Sequence, residues 1–459
     1  MLQPVRRSTV PFSRAEDAAA ELFGALHAGW PQAPAAFLDS SDHARTPAPQ
    51  RSRFSILAFS QGDLAEQVTR ASDIWDWVAG VWEHTGTTTA HTSQGFQLGW
   101  VGWAGYEGQG AFFRATHAVV VDHHSGAAEL QTLSPAGPGE HQQWRRMVTE
   151  QIAGLGRHPA PRQQMQLEDL QVRDCRADYL EAIAAAQEQI RRGITYEVCL
   201  TTAVTAQLRA DPWEAYLRLR EANRAPFTQY LAPAGQGGEI ILSTSPERFV
   251  QVSAAGVIRS EPIKGTRPRG ATRQQDAQLR QELAASVKDR AENVMIADLV
   301  RNDLSIRAVP GSLRVERLCA VETYPSVHQM VSTIGAQLEP ESPRAAAVAA
   351  AFPPGSMTGA PKISTMGVLA RLGTGPRGPY SGAAGYFSTN GACDLSVLIR
   401  TAVLSRTPEL TGSGDRTWQM HLGLGGAITA DSDPQAEWEE IITKSRGVLG
   451  ALGAQFPSR

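Results

Sequence analysis

Leu395-Ser396-Val397-Leu398-Ile399-Arg400-Thr401-Ala402-Val403-Leu404 is a β-rich run, and its neighbours decide how it folds. Residues 380–387 before it and 419–424 after it have the same character. Two more such runs lie upstream, at 239–243 and 249–252. Strand follows strand here, bounded by Gly, Pro and Ser rather than by long helical patterns. Helical segments come in their own blocks, at 176–192, 286–304, 345–352 and 434–452. The first of these spaces Tyr179, Ile183, Ala186 and Ile190 at helical intervals. Blocks without strict βαβ alternation predict an α+β fold rather than a doubly wound sheet.

The 459 residues are 42% hydrophobic and 19% charged, enough for a large core. A net charge of −3 argues against nucleic acid or an anionic membrane as partner, so anion binding must come from a local cluster. The dispersed Cys175, Cys199, Cys319 and Cys393 form no Cys-x-x-Cys pair and fit a reducing cytosol. No run of 18 apolar residues exists and no signal-peptide core follows Arg6 and Arg7, so the expected location is cytoplasmic. Residues 134–139 read as a loop and 156–168 as a linker. They separate residues 1–160, which hold most of the tryptophans, from residues 175–455, which hold the chemical motifs.

Two acidic pairs sit on predicted helices. Asp289 and Glu292 are three apart, as are Glu437 and Glu440, so each pair shares a helix face. Such faces are ordinarily solvated; two that converge suit a hard cation such as Mg²⁺, which keeps waters and an anionic ligand in its shell. Lys264 lies in Pro262-Ile263-Lys264-Gly265-Thr266, before a basic, turn-rich stretch. Arg400 has the planar fork that a carboxylate needs. Gly425-Gly426-Ala427 could offer backbone N–H groups to an anion, and a positive φ at Ala427 would be strained. His328, among apolar residues, and Glu247, in Ser245-Pro246-Glu247-Arg248-Phe249, have bland readings as a core histidine and a strand-entry acid. The segment 355–362 is no phosphate loop, because Pro361 precedes its lysine and Ile363 follows it.

Taken together, these motifs in this order resemble the chorismate-utilising enzymes, the family of anthranilate, aminodeoxychorismate and isochorismate synthases. The resemblance is detailed over about residues 175–455. It implies two stacked antiparallel sheets with helices outside. It implies Mg²⁺ as cofactor, held directly by Glu292 and Glu440 and through water by Asp289 and Glu437. It places Tyr380, Arg400 and the Gly425–Ala427 backbone on the enolpyruvyl carboxylate of chorismate, with Lys444, Gly265 and Thr266 also at the substrate. Ser356 falls on a loop closing over the ring, near C4, and His328 near the ring. Glu247 matches an acid for the departing C4 hydroxyl.

Lysine at 264 looks like aminodeoxychorismate synthase component I, where relatives typically carry alanine. Such an enzyme converts chorismate and ammonia to 4-amino-4-deoxychorismate, on the route to 4-aminobenzoate and folate. Lys264 would act as a neutral nucleophile, with a pKa lowered by burial, Mg²⁺ and Arg267 and opposed by Glu247. Glu197 replaces the water-activating lysine of isochorismate synthases. An anthranilate synthase component I and a non-catalytic chorismate-binding subunit are the alternatives. No Gly-x-Cys-x-Gly elbow is present, so ammonia is expected from a separate glutamine amidotransferase subunit. Residues 37–40 and 99–106 resemble the edge of the family's tryptophan pocket, in the N-terminal segment of anthranilate synthase component I.

Overall fold

The computed structural model describes residues 5–82, 95–133, 138–156, 165–373, 375–406 and 417–457. Its strands form two sheets, and every strand pair is antiparallel. The larger sheet runs from Val5–Pro11 through Ala35–Asp39, Phe227–Gln236, Ile240–Ser245, Thr401–Ser405 and Thr417–Ile428 to Glu197–Arg209. The smaller sheet runs from Ile263–Pro268 through Val327–Gln337, Val257–Glu261, Arg248–Val252, Cys393–Val397 and Ala383–Ser388 to Gly99–Ala104 and beyond. This is the α+β architecture expected, with the sheets stacked and the helices outside.

Strand periodicity shows why the runs are apolar without alternating. In Phe54–Phe59, Ile56 and Ala58 face a core shared with the smaller sheet, which supplies Val101, Trp103 and Ala384. Leu57 and Phe59 face the opposite way, onto helices Ala18–Ala28 and Pro138–Gly154. Both faces are buried, so both sets are apolar. The smaller sheet is covered on its outer face by Ile74–Trp82, Val287–Ser305 and Arg344–Ala351.

Both sheets draw strands from residues 1–160 and from residues 175–455. A buried ion-pair network crosses between these regions: Arg51 bonds Glu261 at 2.7 Å and Glu322 at 2.6 Å. Among the described residues no helix is long and apolar enough to cross a membrane.

Three local expectations need correction. The linker ends early, because Gln166–Val172 is an edge strand on Glu197–Arg209. Pro138 and Gly139 open the helix Pro138–Gly154, since proline is well suited to a first helical position. Residues 134–137 and 157–164, also expected to be loop and linker, lie outside the described residues. The run 395–404 is two strands in different sheets. It breaks at Arg400, whose φ is +52°.

Candidate active site

The site lies where the chain passes from one sheet to the other. After Ile240–Ser245 in the larger sheet, Pro246 and Glu247 lead into Arg248–Val252 in the smaller one. After Cys393–Val397, residues 398–400 lead back to Thr401–Ser405. The two crossings bond to each other. The Val397 N–H donates to the Glu247 carbonyl at 3.0 Å, and the Thr244 N–H to the Arg400 carbonyl at 3.1 Å.

Lys264 enters this junction from Ile263–Pro268. The pairing of that strand with Val327–Gln337 slips between Ile263 and Thr266. Gly265 sits in the slip at φ +86°, where a Cβ would stand 2.8 Å from the Cβ of Asp289. An irregularity of this kind re-aims a side chain. Lys264 Nζ meets Glu197 Oε1 at 2.6 Å, with side chains only 10% and 0% exposed. The other oxygen, Glu197 Oε2, is buried and has no partner among the described residues. Burial alone would lower the lysine pKa. The Glu197 carboxylate, with Cys199 and Glu292, outweighs it and holds Lys264 above its ordinary value. The expected depression is therefore corrected: a carboxylate 67 positions away in sequence takes the role that Glu247 was expected to play. Arg267 does not oppose it, because its guanidinium is held by Asp289 at 2.8 Å.

Glu247 is buried and accepts from the Ser356 hydroxyl at 2.6 Å. Burial pushes its carboxyl up to about 7, against the pull of Ser356, Lys264 and the Ile263 backbone. It thus still carries its proton in part at neutrality and can give it away. Ser356 was expected at the C4 side, and the structure sets it on this acid.

The two acidic pairs meet at two helix starts. Ser286 caps Val287–Ser305 by accepting from the Asp289 N–H, and Asp433 caps Pro434–Ala451 by accepting from the Ala436 N–H. The positive ends of both helices thus lie near the carboxylates. Lys288 lies between them, 3.9 Å from Glu292 and 3.7 Å from Glu437. Burial raises Glu292 to about 7, helped by Glu197 and Asp289. Burial also raises Glu437, which accepts from Ser432 at 2.7 Å. For Glu440 burial is outweighed by Lys444, 2.7 Å away, and its pKa is lowered. Among the described residues no group of three or more His, Cys, Asp or Glu is gathered tightly enough to hold a metal unaided. A few carboxylates with substrate and water completing the shell is nevertheless what Mg²⁺ takes. At Glu292 burial outweighs the pull of Lys264 and Lys288, and a cation bound directly would relieve it, so the donors fit.

Arg400 is half-buried, and its guanidinium has no hydrogen bond or ion pair among the described residues. Burial lowers its pKa with nothing opposing. An unpaired buried cation is costly, which marks a place for an anion. Tyr380 is buried over Thr417–Ile428, because Gly423 and Gly425 lack side chains that would strike its ring. Gly425, Gly426 and Ala427 are strand residues opposite Thr201, Leu200 and Cys199. None has a positive φ, so the strain expected at Ala427 is absent. Thr401–Ser405 pairs with this strand only as far as Leu422, leaving residues 423–428 with one side free of that neighbour. Lys444 donates to the Gly425 carbonyl at 2.8 Å.

His328 and Thr266 stand apart from this cluster. Both ring nitrogens of His328 are engaged, with Thr323 Oγ1 at 2.9 Å and Asp276 Oδ1 at 3.0 Å. It faces helix Arg273–Ala285 as a satisfied core histidine. Thr266 is exposed. Sequence reading missed Arg377, which is buried and donates to the carbonyls of Met357 at 2.6 Å and Cys199 at 2.8 Å. Leu38, Asp39 and Ser40 line a separate cavity of about 680 Å³ that none of the acids around Lys264 borders. Asp39 there is already held by Arg220 at 2.6 Å.

The model of the family described as chorismate binding enzyme matches residues 33–450. The chain belongs to that family. It is 44% identical to an aminodeoxychorismate synthase of Streptomyces griseus over 384 residues, 79% of this chain and 51% of that protein. It is 40% identical to one of Streptomyces pristinaespiralis over 463 residues, 92% of this chain and 62% of that one. With aminodeoxychorismate synthase component 1 of Klebsiella aerogenes it shares 42% identity over 279 residues, 60% of this chain and 58% of that one. The chain therefore spans between 51% and 62% of the length of these relatives. In fold it is similar to anthranilate synthase component I from Streptococcus pneumoniae, with TM-score 0.71 and 24% identity over 86% of this chain and 92% of that one. The menaquinone-specific isochorismate synthase of Escherichia coli aligns with TM-score 0.73 and 20% identity, over 98% and 95%.

Proposed function

We propose that this protein is an aminodeoxychorismate synthase, converting chorismate and ammonia to 4-amino-4-deoxychorismate for 4-aminobenzoate and folate synthesis in the cytoplasm. The observation that carries this reading is Lys264. It is a buried amine at the crossing of the two sheets, and its charge acts on Glu197, Glu247, Glu292 and Glu440.

Chorismate would lie with its enolpyruvyl carboxylate on the free guanidinium of Arg400, beside Tyr380 and residues 425–427. Its ring carboxylate would point to Glu292 and Glu440. Mg²⁺ bound there would supply Lewis-acid polarisation of that carboxylate. Glu197 accepts a proton from Lys264, and the neutral amine forms a bond to C2. Glu247 gives its proton to the C4 hydroxyl, which leaves as water while the ring double bond shifts. Ammonia then bonds to C4, and the C2–N bond breaks with its electron pair returning to Lys264. The new amino group returns a proton to Glu247, and Glu197 returns one to Lys264. Two allylic displacements replace one hard one. Ammonia would come from a glutamine-hydrolysing component, since residues 1–459 carry no elbow for amide hydrolysis.

Product analysis tests the reading. Chorismate, Mg²⁺ and ammonium should give 4-amino-4-deoxychorismate with no pyruvate. Anthranilate with an equal amount of pyruvate would reassign the chain to anthranilate synthesis, and no turnover would leave only chorismate binding.

A further inference from the structure

Two charged residues in the sequence motifs have no part in the chemistry above: Asp303, at the end of Arg301-Asn302-Asp303, and Lys362, at the end of the segment 355–362. The structure brings them together. Lys362 Nζ bonds Asp303 Oδ2 at 2.7 Å and the Ala351 carbonyl at 2.8 Å, and both side chains are largely buried, at 11% and 9% exposed. Ala351 closes the helix Arg344–Ala351 and Lys362 opens the helix Lys362–Leu372. One ammonium therefore fastens both ends of the loop 352–361 to each other and to the helix Val287–Ser305. Arg377 holds the middle of that loop through the Met357 carbonyl. The side chain that the loop presents is Ser356, on the Glu247 carboxyl.

Behind that contact is a cavity of about 10 Å³, lined by Glu247, Ser356 and Asp303 among others. This is about the space of a single water. If Ser356 moves, the space behind the carboxyl admits no more than about one water, and the Ile263 backbone is the other group on it.

We propose that the Asp303–Lys362 ion pair is a positioning device that holds Ser356 on Glu247 and so governs the pH at which that carboxyl gives up its proton. Ser356 donates to the ionised carboxylate and favours it. Loosening the loop weakens the donation, so Glu247 should hold its proton to higher pH. The other charged groups facing Glu247 are Lys264, from Ile263–Pro268, and the ion pair itself across the cavity. Arg248, next in sequence, is turned away onto Asp394 at 2.9 Å and onto Glu261. The catalytic consequence rests on the activity proposed above; the positioning does not.

Asp303→Asn separates positioning from simple charge. Removing a negative charge near Glu247 would lower its pKa, whereas releasing Ser356 would raise it. The readout is the infrared carbonyl band of protonated Glu247, assigned by its loss in Glu247→Gln and titrated with pH in the whole protein. Ser356→Ala should raise the midpoint by about one to two pH units, the worth of one hydrogen bond to a carboxylate. Asp303→Asn should raise it in the same direction by no more than that. The double variant should go no further than Ser356→Ala alone, because both act through one contact. An unchanged or lowered midpoint in Asp303→Asn overturns the proposal, as do shifts that add. If Asp303→Asn does not fold, Ser356→Ala still decides: without its upward shift there is no route from the clamp to Glu247. The upper pH limb of kcat should follow the band. A band that moves while that limb stays would overturn the role given to Glu247 and leave the clamp standing.

Discussion

Lys264 and Glu197 form a buried ion pair of 2.6 Å between the smaller and the larger sheet, and the second oxygen of Glu197 is left without a partner among the described residues. The pair explains how a lysine is kept inside the junction before substrate arrives. It also means that the amine rests charged and must lose a proton to react. Glu197→Gln keeps the shape and removes the carboxylate that raises the lysine pKa. If turnover needs the free amine, the lower pH limb should move to lower pH in this variant. A limb that stays or moves upward would separate Glu197 from the proton chemistry.

Arg400 carries the guanidinium that has no partner among the described residues. Arg400→Lys keeps the charge and loses the bidentate geometry, so chorismate affinity should fall by about 1.5–3 kcal/mol. Steady-state kinetics should show this as a raised KM. An unchanged KM would put the enolpyruvyl carboxylate elsewhere.

The metal account has a pH signature. Glu292 has its pKa raised to about 7, so below neutrality a cation must displace its proton. Mg²⁺ affinity should therefore climb as pH rises to about 7 and level off above. Calorimetry in buffers of different ionisation enthalpy should show proton release at pH 6 that fades by pH 8. The same shift affects the metal-free protein. The folded state binds the extra proton, so metal-free stability should decline as pH rises from the unfolded value near 4.5 through about 7. Glu292→Gln should remove the proton release and reduce the decline in stability to the share that Glu247, raised to the same range, contributes.

His328 carries a different prediction. Both nitrogens are bonded inside the protein, so His328→Ala should cost stability, about 1–3 kcal/mol for the polar groups left unpaired. Thermal unfolding should report the loss, while kcat/KM for chorismate should stay near wild type. A selective collapse of kcat in a stable variant would return the histidine to the chemistry.

What the sequence made legible was local. The helices Val287–Ser305 and Pro434–Ala451, with their acidic i,i+3 pairs, follow from residue spacing. The edge strand Gln166–Val172 did not, because its exposed side carries Gln, Glu and Asp and looks like linker. The break at Arg400 was hidden because Val397, Leu398 and Ile399 keep the chain apolar through the crossing from one sheet to the other. Contacts such as Lys264 with Glu197, or Lys362 with Asp303, join distant positions and depend on how the sheets stack. His328 shows the converse: its position pointed into the site, but alternation along Val327–Gln337 turned it to the helix side.

The central claim is that Lys264 Nζ is the nucleophile. Protein mixed with chorismate and Mg²⁺ but no ammonium, then quenched, digested and weighed, tests it directly. The peptide containing Lys264 should gain the mass of chorismate less one water, and the gain should vanish in Lys264→Ala along with 4-amino-4-deoxychorismate formation. Full turnover in Lys264→Ala would contradict the account.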